Sequence, residues 1–122
     1  MKLKLRQIDE SMKVLELLGG ETFSGKISYI IQRNVKKINE ETTYMRDSLR
    51  EVFNNYAEKK DGGEEDELII PEFNKESYLK ELNDLFNQEI DVDIIQISLD
   101  EFDHSISPAQ MSKIDWMFKF DE

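Results

Sequence analysis

The sequence predicts an α+β fold, in which a long amphipathic helical hairpin packs with a small two-stranded β element and short flanking helices. Apolar residues recur at spacings of three and four over residues 24–59, which is the period of a helix face. Two shorter segments, 1–6 and 89–99, alternate apolar and charged residues as half-buried strands do. The chain has 122 residues, enough for one hydrophobic core, so we expect a single domain spanning residues 1–122.

The N-terminal segment is the first predicted strand. Leu3 and Leu5 share one face, while Lys2 and Lys4 share the other. A short helix should follow over residues 8–18.

That first helix has two candidate caps and a clear end. Asp9 or Ser11 can cap its N-terminus, because a short polar side chain accepts a hydrogen bond from the first turn. Gly19 and Gly20 should end it, because glycine adopts the conformation that follows a helix without steric cost.

The second helix is predicted from Ser24 to about Lys59. Neither Pro nor Gly interrupts it after Gly25, and a helix of this length would span about 54 Å. This length exceeds the diameter of a compact domain of 122 residues, so part of the helix should project or pack on a partner helix. Its predicted inner stripe is close to a heptad pattern and consists of Ile27, Ile31, Val35, Ile38, Thr42, Met45, Leu49, Val52 and Tyr56.

Residues 60–71 predict an exposed acidic loop, because two adjacent glycines and a run of carboxylates end the helix. A third helix should follow over residues 72–87, with Pro71 at or just before its start. The short link suggests that this helix folds back along the second and buries both stripes. Its predicted stripe consists of Phe73, Leu79, Leu82, Leu85 and Phe86.

The second predicted strand, within residues 89–99, should pair with the first. Lys2 and Lys4 would then lie opposite Asp91 and Asp93, in a direction that the sequence leaves open. After Ile95 the alternation changes parity, which suggests a β-bulge or burial of both faces.

A small capped helix should close the chain. Ser107 is the predicted cap, Pro108 the first helical residue and Gln110 the third, which is a capping-box arrangement. The aromatic segment that follows, Trp116 to Phe118, is either part of the core or an exposed anchor for a partner. We favour the core, because a small domain needs its large apolar residues inside.

Charge is divided unevenly along the chain. Residues 1–60 contain 12 Lys and Arg against 9 Asp and Glu, whereas residues 61–122 contain 4 against 18. The formal net charge of −11 argues against a protein that binds nucleic acid with its whole surface. The uneven division favours either attraction between the two halves or an acidic face that docks on a basic groove.

Candidate chemistry is sparse. Cys is absent, a single His is present, and no phosphate-loop, dinucleotide or nucleophile-elbow motif occurs. A calcium loop beginning at Asp61 would need Gly where Asp66 stands. A second cluster, Asp100, Glu101, Asp103 and His104, could hold a divalent ion for hydrolysis. We favour solvated surface carboxylates in both places, and we expect no cofactor, no metal and no enzymatic activity.

The order of these segments resembles small uncharacterised proteins of tailed bacteriophages that infect Gram-positive bacteria. The corresponding pieces are Lys2–Leu5, Lys26–Lys59, Asp61–Glu67, Phe73–Leu85, Glu89–Ile97 and Ser107–Met117. The resemblance covers most of the chain and carries no catalytic residues. It implies a phage origin and a role in the host cytoplasm or in the virion.

The leading functional hypothesis is a non-enzymatic phage protein that inhibits or redirects a host macromolecule, of the anti-defence or anti-CRISPR type. Its acidic second half would act as a nucleic-acid mimic on a host protein with a basic nucleic-acid-binding groove. We expect no direct contact with nucleic acid, because the negative net charge repels phosphate. We also expect no contact with a membrane, because the N-terminus lacks the apolar run of a signal peptide and no apolar stretch is long enough to span a bilayer. Candidate partner-binding residues are Asp61, Glu64, Glu65, Asp66, Glu67, Asp91, Asp93, Asp100, Glu101 and Asp103.

The alternative hypothesis is an accessory phage structural or assembly protein that acts as a homo-oligomer. The long stripe of the second helix motivates it, because that stripe offers more apolar length than the third helix can cover.

Overall fold

The computed structural model describes residues 1–60, 67–102 and 104–120, and it has an α+β fold dominated by helices. The described helices are α1 (Leu5–Gly19), α2 (Gly25–Tyr56), α3 (Glu72–Phe86) and α4 (Pro108–Ile114). The strands are β1 (Lys2–Lys4), β2 (Glu58–Lys59), β3 (Leu68–Ile69), β4 (Glu89–Asp91), β5 (Ile97–Ser98) and β6 (Phe118–Lys119). Single 3₁₀ turns cover Leu99–Glu101 and Asp115–Met117.

Helix α1 begins three residues earlier than predicted. The backbone N–H of Lys4 donates to Oε1 of Gln7 at 2.8 Å, which secures the first turn. The predicted caps are wrong, because Asp9 lies within the helix and Ser11 is buried there with its hydroxyl donating to the carbonyl of Ile8. Leu5 is buried about one turn before the predicted start and Ile8 is buried at that start, so the apolar face itself extends the helix.

Helix α2 confirms the long predicted helix, with Ser24 as its N-cap. Its 32 residues correspond to a length of about 48 Å. The inner stripe is confirmed, with Val35, Leu49, Val52 and Tyr56 half-buried and with Ile27, Ile31, Ile38, Thr42 and Met45 buried. Beyond Met45 no residue of α2 is fully buried, so the core is centred on the first two thirds of the helix.

Helix α3 forms where predicted, but its predicted stripe is not one face. Phe73 is 75% exposed and Leu79 is 60% exposed, whereas Leu82, Leu85 and Phe86 are half-buried. Phe73 and Leu82 are nine residues apart, which is two and a half turns and places them on opposite sides of the helix. No residue of α3 is fully buried, so this helix covers α2 without burying the whole predicted stripe.

The predicted strand pair is confirmed, and it is antiparallel. Lys2 lies opposite Asp91 as expected, but Lys4 lies opposite Glu89 and not Asp93. The antiparallel direction requires this, because moving forward along one strand means moving backward along the other.

The chain leaves this ladder after Asp91 and does not continue as one bulged strand. Val92 and Ile97 are buried, and the intervening Ile94 and Ile95 are half-buried. Burial of both faces therefore explains the change of parity near Ile95. Regular pairing resumes at β5, which runs parallel to β6.

Two further strand pairs join the one that was predicted. Within the segment predicted as a loop, strand β3 pairs with β2 and closes the link between α2 and α3. In the β5–β6 pair, Ile97 lies opposite Phe118. The described part of the chain thus has three separate two-stranded sheets around its helices.

The C-terminal segment completes the core. Ser107 and Gln110 form the predicted capping box, with Pro108 in the first turn of α4. Trp116, Met117 and Phe118 are 9%, 0% and 2% exposed, which confirms their assignment to the core.

Candidate functional site

Of the ten predicted partner-binding carboxylates, five lie in the described part of the chain. Asp61, Glu64, Glu65, Asp66 and Asp103 lie outside the described residues, as does most of the predicted calcium loop. The described five are all exposed; they are Glu67, Asp91, Asp93, Asp100 and Glu101. They do not cluster on one element: Glu67 directly precedes β3, Asp91 ends β4 and Asp93 follows it, and Asp100 and Glu101 lie in the 3₁₀ turn after β5.

Four of these five form ion pairs within the molecule. Asp91 accepts from the Met1 ammonium at 2.9 Å, and Asp93 accepts from Nη2 of Arg33 at 2.7 Å. The other two pairs are Glu101 with Lys26 at 3.0 Å and Glu67 with Lys60 at 3.3 Å.

Each of these pairs joins the two oppositely charged halves of the chain. Every cation belongs to residues 1–60 and every carboxylate to residues 67–101. The pairs are solvent-exposed, and such pairs contribute between about 0 and 1 kcal/mol each. The carboxylates are therefore neutralised only weakly and can exchange an internal cation for an external one.

The environment of Asp91 shows the local electrostatics directly. Its hydrogen bond to the Met1 ammonium, together with the charge of that group, lowers the pKa of the Asp91 carboxyl below its ordinary value of 3.8. The nearby charge of Lys2 acts in the same direction. This carboxylate is consequently ionised throughout the neutral and mildly acidic range.

A second set of carboxylates lies on α3 and was not singled out from the sequence. Glu76, Glu81 and Asp84 are exposed and form no ion pair among the described residues. Glu81 lies beside the hydroxyl of Tyr56, and this contact raises the pKa of that tyrosine. Glu76 and Asp84 lie on the side of α3 away from Leu82 and Leu85 on a helical wheel, and that position was the signal that could have located them.

The cluster weighed as a divalent-ion site, Asp100, Glu101, Asp103 and His104, lies only partly within the described residues, among which no group of three or more His, Asp and Glu side chains could hold a metal ion. His104 instead packs against Phe23, with ring centroids 4.1 Å apart, and is half-buried. Its Nδ1 is buried without a hydrogen-bond partner among the described residues. His104 also borders a small cavity of about 170 Å³ at the start of α2.

Two basic residues of α2, Arg33 and Lys36, have different surroundings. Arg33 pairs with Asp93, as attraction between the halves predicts. Lys36 instead lies on the rim of a groove between α1 and α2, which we call the helical groove.

The helical groove has a volume of about 860 Å³. Its floor is apolar and consists of Met12, Leu15, Ile31, Val35 and Ile38. Its rim is polar and charged and includes Lys13, Glu16, Lys36, Glu40 and Arg46. An apolar floor with a charged rim is the usual construction of a surface that receives a helix or a peptide.

Comparison with protein-family models, with curated proteins and with solved structures finds no match for this chain. The resemblance to proteins of tailed bacteriophages stays a prediction. Within the described residues, no helix has both the length and the apolar character required to cross a membrane.

Proposed function

We propose that this chain is a non-enzymatic, phage-encoded binding protein that inhibits or redirects a host macromolecule. The observation that carries the proposal is the exposure of the acidic second half, in which every described Asp and Glu side chain is solvent-exposed. Such a surface has the charge required to occupy a basic groove that otherwise holds nucleic acid. An anti-defence or anti-CRISPR role in the host cytoplasm fits this description.

The internal ion pairs support the proposal. They keep Asp91, Asp93 and Glu101 fixed in place while leaving them accessible, since their side chains remain 79%, 68% and 45% exposed. A partner with arginine or lysine side chains can replace the internal cations at little net cost. The proposed partner-binding set is therefore the set predicted from the sequence, of which the described members are Glu67, Asp91, Asp93, Asp100 and Glu101.

The test is affinity capture of host proteins by the tagged chain, at low and at high salt, followed by displacement with duplex DNA. Under the proposal, a nucleic-acid-binding protein is retained, is released by high salt, and is displaced by DNA because the two ligands share one groove. Retention that DNA does not affect, or failure to retain any nucleic-acid-binding protein, would overturn the mimic.

A pair of charge-matched variants locates the interface. D91N/D93N neutralises two carboxylates of the proposed surface, and D9N/E10Q neutralises two exposed carboxylates of α1. Both change the net charge equally, so long-range attraction is altered to a similar extent. Binding should weaken about tenfold or more in the first variant and about threefold or less in the second. Equal weakening in both would show that net charge, and not this surface, determines binding.

The second candidate function is an accessory structural or assembly protein that acts as a homo-oligomer in the virion. The inner stripe of α2 favours it, because Leu49, Val52 and Tyr56 at the far end of that stripe are only half-buried. The mass in solution tests this alternative, and a strict monomer at micromolar concentration would exclude it.

A further inference from the structure

Helix α3 exposes large apolar side chains that nothing in the described chain covers. Phe73 and Leu79 are among the most exposed large apolar residues of the molecule, at 75% and 60%. They lie among acidic side chains, since α3 has four carboxylates and only two lysines. A helix that exposes both apolar and acidic side chains is suited to an apolar groove with basic residues at its edge.

The helical groove has the complementary character. Its floor is apolar, and its rim has three cations, Lys13, Lys36 and Arg46, against the two carboxylates of Glu16 and Glu40. None of these three cations forms an ion pair among the described residues. The rim therefore has positive charge available for an acidic helix.

Helix α3 cannot enter the groove of its own molecule. Tyr78 packs against Phe53 and Tyr56 at the end of α2, with ring centroids 6.2 Å apart in both contacts. At its other end, Arg6 donates to the side chain of Asn83 at 3.0 Å. These contacts hold α3 along the far end of α2, so any α3 that occupies a groove must come from a second molecule.

We propose that α3 of one copy docks in the helical groove of a second copy, with Leu79 over the apolar floor and Glu76, which lies about 60° from Leu79 around the helix, at the cationic rim. If the contact is reciprocal, two copies close into a symmetric dimer, and if it is not, copies add in an open chain. The proposal goes beyond the host partner described above and does not require it, because that partner is assigned to carboxylates outside α3.

Sedimentation analysis over a wide concentration range tests the association. The mass should rise from that of one 14.4 kDa chain to at least twice that value. A matched pair of variants tests the surface, because Leu79 in α3 and Leu17 in α1 are both 60% exposed leucines in helices, and Leu17 does not line the groove. L79D should weaken association about tenfold or more, while L17D should leave it within about twofold. A wild-type chain that remains monomeric, or equal loss in both variants, would overturn the proposal.

A charge exchange identifies the two surfaces as partners. K13E/K36E reverses two rim charges of the groove, and E72K/E76K reverses two charges on the Leu79 side of α3. Each double variant should associate weakly alone, and an equimolar mixture should regain association, because the reversed groove then meets the reversed helix. Circular dichroism shows whether each variant is folded. Folded variants whose mixture stays monomeric would contradict this docking, even if the wild-type chain forms oligomers.

The outcome is separable from that of the proposed function. Association that L79D abolishes, in a chain whose host binding D91N/D93N leaves unchanged, would support self-association and reject the acidic mimic. A strictly monomeric chain whose host binding is weakened by D91N/D93N would support the acidic mimic and reject self-association.

Discussion

Asn34 is a polar residue inside the core that fixes a distant segment of backbone. It is 0% exposed, and its side chain makes two hydrogen bonds with Ile95. Nδ2 donates to the carbonyl of Ile95 at 2.8 Å, and Oδ1 accepts from the N–H of Ile95 at 3.0 Å. Since the chain is outside any strand there, this amide takes the place of a ladder partner.

Replacing Asn34 by Ala should therefore be costly. N34A leaves both backbone groups of Ile95 unpaired and opens a small cavity, and we expect the free energy of unfolding to fall by about 2–4 kcal/mol. Urea denaturation measures the change. N39A, at an exposed position of the same helix, should alter stability by about 0.5 kcal/mol or less. Equal effects of the two substitutions would show that the Ile95 contacts contribute little.

Asp91 ties the pH dependence of stability to the Met1 ammonium. The pKa of its carboxyl is lowered in the folded state, first by the hydrogen bond to that ammonium and then by its charge. A carboxyl with a lowered folded-state pKa contributes stability at pH values above its ordinary value of 3.8, and this contribution is lost as the pH falls through the lower folded-state value.

NMR titration of the Asp91 carboxyl measures this effect. The midpoint should lie below 3.8 in the chain with a free Met1 amine and should move upward when that amine is acetylated. An Asp91 midpoint that is insensitive to acetylation would remove the ammonium as the cause.

At the scale of the element, helix α4 depends on its cap more than the longer helices do. It has seven residues, and an isolated helix of that length is unstable in water. The Ser107 hydroxyl accepts from the N–H of Gln110 at 3.1 Å, and the Gln110 side chain accepts from the N–H of Ser107 at the same distance. This capping box fixes the start of the helix that leads into the core residues Trp116 to Phe118.

S107A should lower the free energy of unfolding by about 1 kcal/mol, because it removes the hydroxyl that accepts a hydrogen bond from the backbone N–H of Gln110. Trp116 is the only tryptophan and lies in the core, so its fluorescence follows the transition. S105A, at an exposed position just before the helix, should change stability by less than about 0.5 kcal/mol. If S107A also lowers the free energy of unfolding by less than about 0.5 kcal/mol, packing alone determines where α4 begins.

Elements with a repeated apolar pattern were predictable, and those fixed by single tertiary contacts were not. Helix α2 could be located because its inner stripe is long and uninterrupted, and the cap at Ser107 could be located because its residues are adjacent in sequence. The start of α1 depends on the Gln7 side chain, and the path of the chain near Ile95 depends on the buried Asn34. Neither polar residue belongs to a repeated apolar pattern, so the sequence does not indicate these contacts. Helix α3 was misread because Phe73 and Leu79 are apolar without belonging to its inner face.

The candidate site was predictable in composition but not in arrangement. The sequence shows that the second half is acidic, and the described carboxylates are indeed exposed. Which of them pair internally depends on the fold, because Arg33 and Asp93 are 60 residues apart in the chain. The helical groove could not be predicted, because it depends on how α1 and α2 pack against each other, although three of its floor residues, Ile31, Val35 and Ile38, belong to the predicted inner stripe.

At the scale of the whole molecule, two electrostatic effects oppose each other. Four exposed ion pairs attract the acidic half to the basic half, whereas the formal net charge of −11 makes the folded chain repel itself. Each pair contributes between about 0 and 1 kcal/mol, and the unpaired carboxylates on α3 and elsewhere add repulsion without any compensating contact. The excess of carboxylates over internal partners suggests that repulsion is the larger of the two effects at neutral pH.

Moderate salt should therefore stabilise the protein at pH 7. Screening acts over about 8 Å at physiological ionic strength, so sodium chloride weakens the many long-range repulsions as well as the few short pairs, and we expect the free energy of unfolding to rise by about 1 kcal/mol. Urea denaturation is the suitable measurement, because urea itself is uncharged.

Near the sequence pI of 4.6 the positive and negative charges of the chain are equal in number, so the net repulsion disappears while Asp91 remains ionised. The same salt should then have no effect on the free energy of unfolding or a small destabilising one. If salt instead destabilises the protein at pH 7, the ion pairs between the halves outweigh the repulsion. The acidic surface would then be a structural device that joins the two halves, because its carboxylates would cost more to transfer from their internal cations to a basic partner.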